Sequence, residues 1–106
     1  LEYRIIWSRF SENQIEIIFN YYKNRVNSKL AKKIIREIIS STNILIKNPK
    51  IGTFEPSLKN RKIKYRYIVS SNYKIIYSIE ERDKTIKITD VFDTRQDPNK
   101  ILQRVK

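Results

Sequence analysis

A chain of 106 residues is long enough for one hydrophobic core and too short for two, and 40% hydrophobic with 11% aromatic content is enough to fold it. With no cysteine and no histidine, disulfides, thiolate metal sites and imidazole acid–base chemistry are excluded, so neither a metal nor a cofactor is expected. The 23 Lys and Arg against 11 Asp and Glu leave a net charge of +12 and a pI of about 10.0, which points to an anionic partner: nucleic acid, ribosome, a membrane surface or an acidic protein. A merely solubilising surface is the plainer reading of the same charge. No apolar run is long enough to span a bilayer and nothing resembles a signal peptide, so the expected location is the cytosol, without a membrane partner.

In chain order, Leu1–Ser8 alternates as a strand with Tyr3, Ile5 and Trp7 on one face. Ser11, with Gln14 three residues on, has the capping-box pattern of a helix start; Ile15, Ile18, Phe19, Tyr22 and Val26 then form an apolar stripe. Asn27-Ser28 breaks it, and Ser28 is suited to cap a second helix with Ala31, Ile34, Ile35, Ile38, Thr42 and Leu45 in its stripe. So short a break implies an antiparallel helix pair. Pro49 ends the second helix, and the loop Lys50–Asn60 carries the single glycine, Gly52, with Phe54 expected to be buried as a pin.

Three strands follow: Lys62–Val69, Tyr73–Ile79 and Thr85–Phe92. If the apolar faces of the first two must meet, a three-residue turn Ser70-Ser71-Asn72 is required, setting Val69 opposite Tyr73, Tyr67 opposite Ile75 and Tyr65 opposite Tyr77. A turn around Arg82-Asp83 then sets Ile79 against Ile86 and Tyr77 against Ile88, with Lys87, Thr89 and Val91 on the other face. Asp93–Asn99 is a polar turn, and Lys100–Lys106 is a short helix or a frayed end. The order, strand, helix, helix, strand, strand, strand, makes a single α+β domain over residues 1–106, with the antiparallel helix hairpin packed on one face of an antiparallel meander. Tyr65, Ile75, Tyr77, Ile34 and Ile38 are expected to be mostly buried. The other sheet face is expected to be open and basic.

The segment Ser57–Ser78 holds no acid but contains Lys59, Arg61, Lys62, Lys64, Arg66 and Lys74. By the register above, Lys64, Arg66 and Lys74 share the open face, where converging cations on a rigid sheet make a phosphate-binding surface, with Lys59, Arg61 and Lys62 as further nucleic-acid contacts. A solvated face that resists edge pairing explains the alternation equally well. The second basic stretch, Lys23, Arg25, Lys29, Lys32, Lys33 and Arg36, reads as the outer face of the helix pair. The strand tyrosines have core parity. Asp90, Asp93 and Asp97 lie close in sequence, but no partners for a metal are evident.

Tyr73-Lys74-Ile75-Ile76-Tyr77 is similar to the central-strand pattern of the RelE/ParE toxin superfamily. Val91-Phe92-Asp93-Thr94-Arg95-Gln96-Asp97-Pro98 resembles its C-terminal signature, and Asn48-Pro49 through Gly52 its loop after the second helix. With the element order, the resemblance covers nearly the whole chain. It implies the toxin of a bacterial type II toxin–antitoxin pair, a growth inhibitor neutralised by a cognate acidic antitoxin. ParE-like members act on DNA gyrase, and RelE-like members are metal-independent, ribosome-dependent mRNA endonucleases. In the nuclease branch Lys64, Arg66, Lys74 and Arg95 stand at positions similar to the catalytic cations, Lys74 where Arg is usual. The branch's C-terminal Tyr or His is missing, since neither follows Tyr77. That departure favours gyrase as target, with mRNA cleavage as the alternative and a non-toxic RNA- or ribosome-binding module as a third reading.

Overall fold

The computed structural model describes residues 2–106, so Leu1 of the expected first strand lies outside the described residues. Strand β1 (Arg4–Trp7) leads into helices α1 (Arg9–Arg25) and α2 (Ser28–Ser41); after a run of 3-10 turns come a two-residue edge strand β2 (Thr53–Phe54), the meander β3 (Tyr65–Ser70), β4 (Tyr73–Glu80) and β5 (Thr85–Asp93), and a short helix α3 (Lys100–Arg104). The sheet runs β1-β5-β4-β3-β2, with β1 parallel to β5 and every other pair antiparallel. The molecule is therefore α+β, with the helix hairpin on one sheet face.

Both helices are capped by side chains. Ser8 Oγ accepts from the Ser11 amide at 3.0 Å, so α1 is capped three residues earlier than expected; Ser11 is instead buried, its hydroxyl donating to the Ser8 carbonyl. Asn27 Oδ1 accepts from the Leu30 amide at 2.8 Å and caps α2 one residue before Ser28. The apolar stripes bring Ile18 and Ile38, with Leu45, onto Tyr73, Ile75, Tyr77, Ile86, Ile88 and Val91 of the sheet; Tyr3, Ile5, Trp7 and Ile34 pack around this core.

The β3–β4 register differs from expectation. Ser70 pairs with Tyr73, Ile68 with Ile75, Arg66 with Tyr77 and Tyr65 with Ser78, around a two-residue turn, Ser71-Asn72. Ser71 takes the left-handed conformation, with φ of 55°. The slip by one residue turns every β3 side chain over. Tyr65 is buried as expected, but on the sheet face away from the helix pair. There it joins Leu58, Ile76, Phe92, Ile101 and Val105 in a second core, with Tyr67 packed against it. The face expected to be open is thus partly covered by α3 and the turn Pro56–Leu58. The parity rule failed because both faces are apolar.

The β4–β5 pairing follows expectation at Ile79–Ile86 and Tyr77–Ile88 across a four-residue turn. A bulge between Ile76 and Tyr77 leaves Thr89 without a partner, and this extra residue returns Val91 to the helix side rather than the opposite face. Phe54 is 55% exposed and is no buried pin.

Candidate functional site

The expected cations do not form one cluster. Lys74 and Arg66 come off opposite faces, because Arg66 lies across from Tyr77 while Lys74 lies across from Val69 and Phe92. Lys74 Nζ is 2.8 Å from Oε1 of the buried Glu55 and 4.3 Å from the Tyr67 ring centroid. Glu55 Oε2 also accepts from the Ser57 amide, so one carboxylate ties Lys74 to the turn beneath the second core. Arg66 Nη1 donates to the carbonyls of Lys50 (3.1 Å) and Gly52 (2.8 Å), and its guanidinium stacks 4.1 Å from the Phe54 centroid. Arg95 grips Asp93 with two side-chain bonds, Nε to Oδ1 at 2.9 Å and Nη2 to Oδ2 at 2.8 Å. The grip holds the Asp93 carboxyl below its ordinary range and raises the guanidinium further above its own. Lys64 is exposed and takes part in none of the ion pairs among the described residues.

The three supplementary cations also separate. Arg61 donates to the carbonyls of Leu102 (2.9 Å) and Lys106 (3.4 Å), holding down the end of α3, while Lys59 and Lys62 are exposed. The three aspartates have distinct tasks: Asp93 holds Arg95, Asp97 accepts from the Asn99 amide, and Asp90 faces the second core. Asp90 is fully buried and paired with Arg104 at 2.7 Å. Burial raises its pKa, and Arg104 pulls it back. The Arg104 guanidinium also lies 5.3 Å and 5.1 Å from the Phe10 and Phe92 ring centroids, which latches α3 to the sheet. Spacing in sequence does not reveal this pair.

A groove of about 660 Å³ lies at an open corner of the sheet. It exists because β4 outruns β3: Ile79 and Glu80 have no partner in β3. Arg4, Ile6, Ser78 and Lys87 contribute from the strands, while Lys50, Phe54, Ile63, Lys64 and Arg66 contribute from the loop side. Acids Glu80, Glu81 and Asp83 of the β4–β5 turn also line it. Sequence reasoning found Lys64 and Arg66 here but missed Lys50, Phe54 and Ile63, since an apolar residue in a loop carries no signal of its exposure.

The loop beside this groove is held from beneath. Tyr77 Oη donates to the Pro49 carbonyl at 2.6 Å and accepts from the Gly52 amide at 3.0 Å. Gly52 has φ of −71°, so it is needed for space rather than for a left-handed turn: a Cβ there would lie 2.5 Å from Tyr77 Oη and 2.7 Å from the Tyr67 carbonyl oxygen. Burial pushes the Tyr77 phenol pKa up, with the Gly52 amide and Arg66 opposing. Burial and the Tyr22 hydroxyl raise that of Tyr73. Both hydroxyls are engaged inside the fold.

Among the described residues no helix is long and apolar enough to cross a membrane. No curated protein matches the sequence. A solved structure described as the chromosomal ParDE TA system from P. aeruginosa has the same fold, with a TM-score of 0.71 at 16% identity, covering 86% of this chain and 95% of that one. Residues 5–98 match the family described as the ParE toxin of the type II toxin–antitoxin system parDE. That match spans the sheet, both long helices and the Arg95 turn, and the chain belongs to the ParE toxin family.

Proposed function

We propose that this family member is a growth inhibitor, that a cognate acidic antitoxin neutralises it, and that DNA gyrase is its target. The observation that carries the choice of target is the state of the four cations. Cleaving RNA by charge stabilisation needs cations that converge on one developing pentavalent phosphate. Here Arg66 and Lys74 lie on opposite faces, and Arg66, Lys74 and Arg95 are already bound within the fold. Freeing Lys74 would strand the buried Glu55 carboxylate, which is strongly unfavourable. No histidine exists and no tyrosine follows Tyr77, so a donor for the leaving group is also missing from the C-terminal segment. General acid–base help is worth about 10²–10⁴-fold, and a nuclease without it is slow. The +12 charge supports an acidic antitoxin segment that orders as it binds.

The test is induced expression with and without the neighbouring gene, with a gyrase supercoiling assay and mapping of mRNA ends on translating ribosomes. Growth arrest with gyrase-dependent DNA breaks and intact mRNA is expected. Codon-phased mRNA cleavage that disappears in Lys74→Ala or Arg95→Ala would replace gyrase by mRNA as the target.

A further inference from the structure

Two of the most exposed large apolar side chains, Phe54 and Ile63, each 55% exposed, line the same groove. Lys50, Lys64 and Arg66 line it with them, and Lys59 shares the adjoining hollow with Phe54 and Lys64. The nearest acid in sequence, Glu55, is buried and neutralised by Lys74. The groove as a whole sets these apolar side chains among five cations, Arg4, Lys50, Lys64, Arg66 and Lys87, and three acids, Glu80, Glu81 and Asp83, so its lining is net cationic.

Phe54 is also held in place. Phe54 sits opposite Arg66 in the β2–β3 pair, and the guanidinium lies against one ring face. The same guanidinium holds the Lys50 and Gly52 carbonyls, while Tyr77 holds Pro49 and Gly52. A side chain fixed from below while over half exposed loses little entropy when a partner covers it.

We infer that the Phe54–Ile63 patch is the surface by which the toxin docks on its target, and that the occupant is a folded protein surface with an apolar pocket rimmed by carboxylates. A folded occupant is favoured because a fixed, exposed aromatic side chain needs a preformed pocket, and an aromatic anchor among charged residues is the usual arrangement of an interface hot spot. A nucleic-acid strand could stack on Phe54, but it offers nothing for Ile63. This inference rests on the gyrase reading for the identity of the occupant alone: with gyrase as target, the pocket belongs to gyrase.

The experiment uses the full chain, purified gyrase holoenzyme and the antitoxin encoded beside the toxin gene. Phe54→Ala, Ile63→Ser and Lys64→Glu are compared with wild type and with Lys33→Glu on α2, with circular dichroism and antitoxin binding as checks on folding. Truncating the central anchor is expected to raise the inhibitory concentration against gyrase by about 10-fold or more. Lys64→Glu should lose most at low salt, Lys33→Glu should behave as wild type, and all four should still bind antitoxin. Unchanged inhibition by Phe54→Ala and Ile63→Ser overturns the inference, as does loss of antitoxin binding, or of binding to a single-stranded RNA oligonucleotide, with inhibition intact. If wild type leaves gyrase untouched, the gyrase reading fails by itself, and growth arrest becomes the readout. Folded, antitoxin-binding Phe54→Ala and Ile63→Ser that no longer arrest growth then support the patch, and variants that still do so overturn it.

Discussion

Tyr77 is the residue on which the groove-side loop depends. It is fully buried, yet its hydroxyl serves one carbonyl and one amide of the Pro49–Gly52 segment. Tyr77→Phe keeps the ring packing and leaves both backbone groups unpaired, so it is expected to cost roughly 1–3 kcal/mol by chemical denaturation. Gly52→Ala should cost at least as much, since its Cβ meets both the hydroxyl and the Tyr67 backbone. Wild-type stability in either variant would show that the loop rearranges freely. Asp90 and Arg104 form the other decisive pair. The Asp90 carboxyl sits above its ordinary 3.8 because burial outweighs the help of Arg104. A raised folded value means that folding takes up a proton between 3.8 and that value, so this group adds stability as pH falls through the window and loses it as pH rises. Arg104→Met removes the opposing charge and widens the window. The variant should lose roughly 3 kcal/mol at neutral pH and recover part of it near pH 4. The difference in stability between variant and wild type, followed against pH, checks this; a difference that does not shrink on acidification contradicts it.

At the scale of elements, α3 is the piece least able to stand alone, because five residues are too few for an isolated helix. It is held by Ile101 and Val105 in the second core, by Arg104 on Asp90, and by Arg61 on its last carbonyls. Ile101→Ala empties a fully buried site and should destabilise the fold by roughly 2–5 kcal/mol, with loss of amide protection in α3 before the meander. Uniform loss of protection would mean that α3 and the sheet unfold as one unit. Both long helices were legible in the sequence, as was the β4–β5 register as far as the bulge between Ile76 and Tyr77, beyond which alternation puts Val91 on the wrong face. The β3–β4 register was not. Ile68 and Ile75 face the helices, whereas Tyr65, Tyr67 and Ile76 face the second core, so either parity buries apolar groups.

For the whole molecule, charge governs encounters more than folding. Most of the 23 cations lie outside the three ion pairs found among the described residues, and the net charge is +12. Association with an acidic antitoxin should therefore be fast at low salt and should slow steeply as ionic strength rises, mainly through the on-rate. Stopped-flow association across a salt series measures this, and a flat on-rate would show that long-range charge has no part in recognition. Dissociation should depend less on salt, because buried apolar contacts are not screened.

By itself, the sequence determined the order of β1, the two long helices and the three meander strands, the α+β class, the helix-facing sides of β1, β4 and most of β5, and the family resemblance. All of these rest on local periodicity and on residues close in the chain. Only the tertiary structure decided which cations are free. Lys74 and Glu55 are joined by a turn packed under the sheet, Arg66 and the 50–52 carbonyls by an edge strand, and Arg104 and Asp90 by a helix folded back on β5. A lysine whose charge is neutralised by a buried carboxylate and one that is fully solvated look alike in sequence. The difference lies in a partner distant along the chain, and no alternation or spacing rule reaches that far.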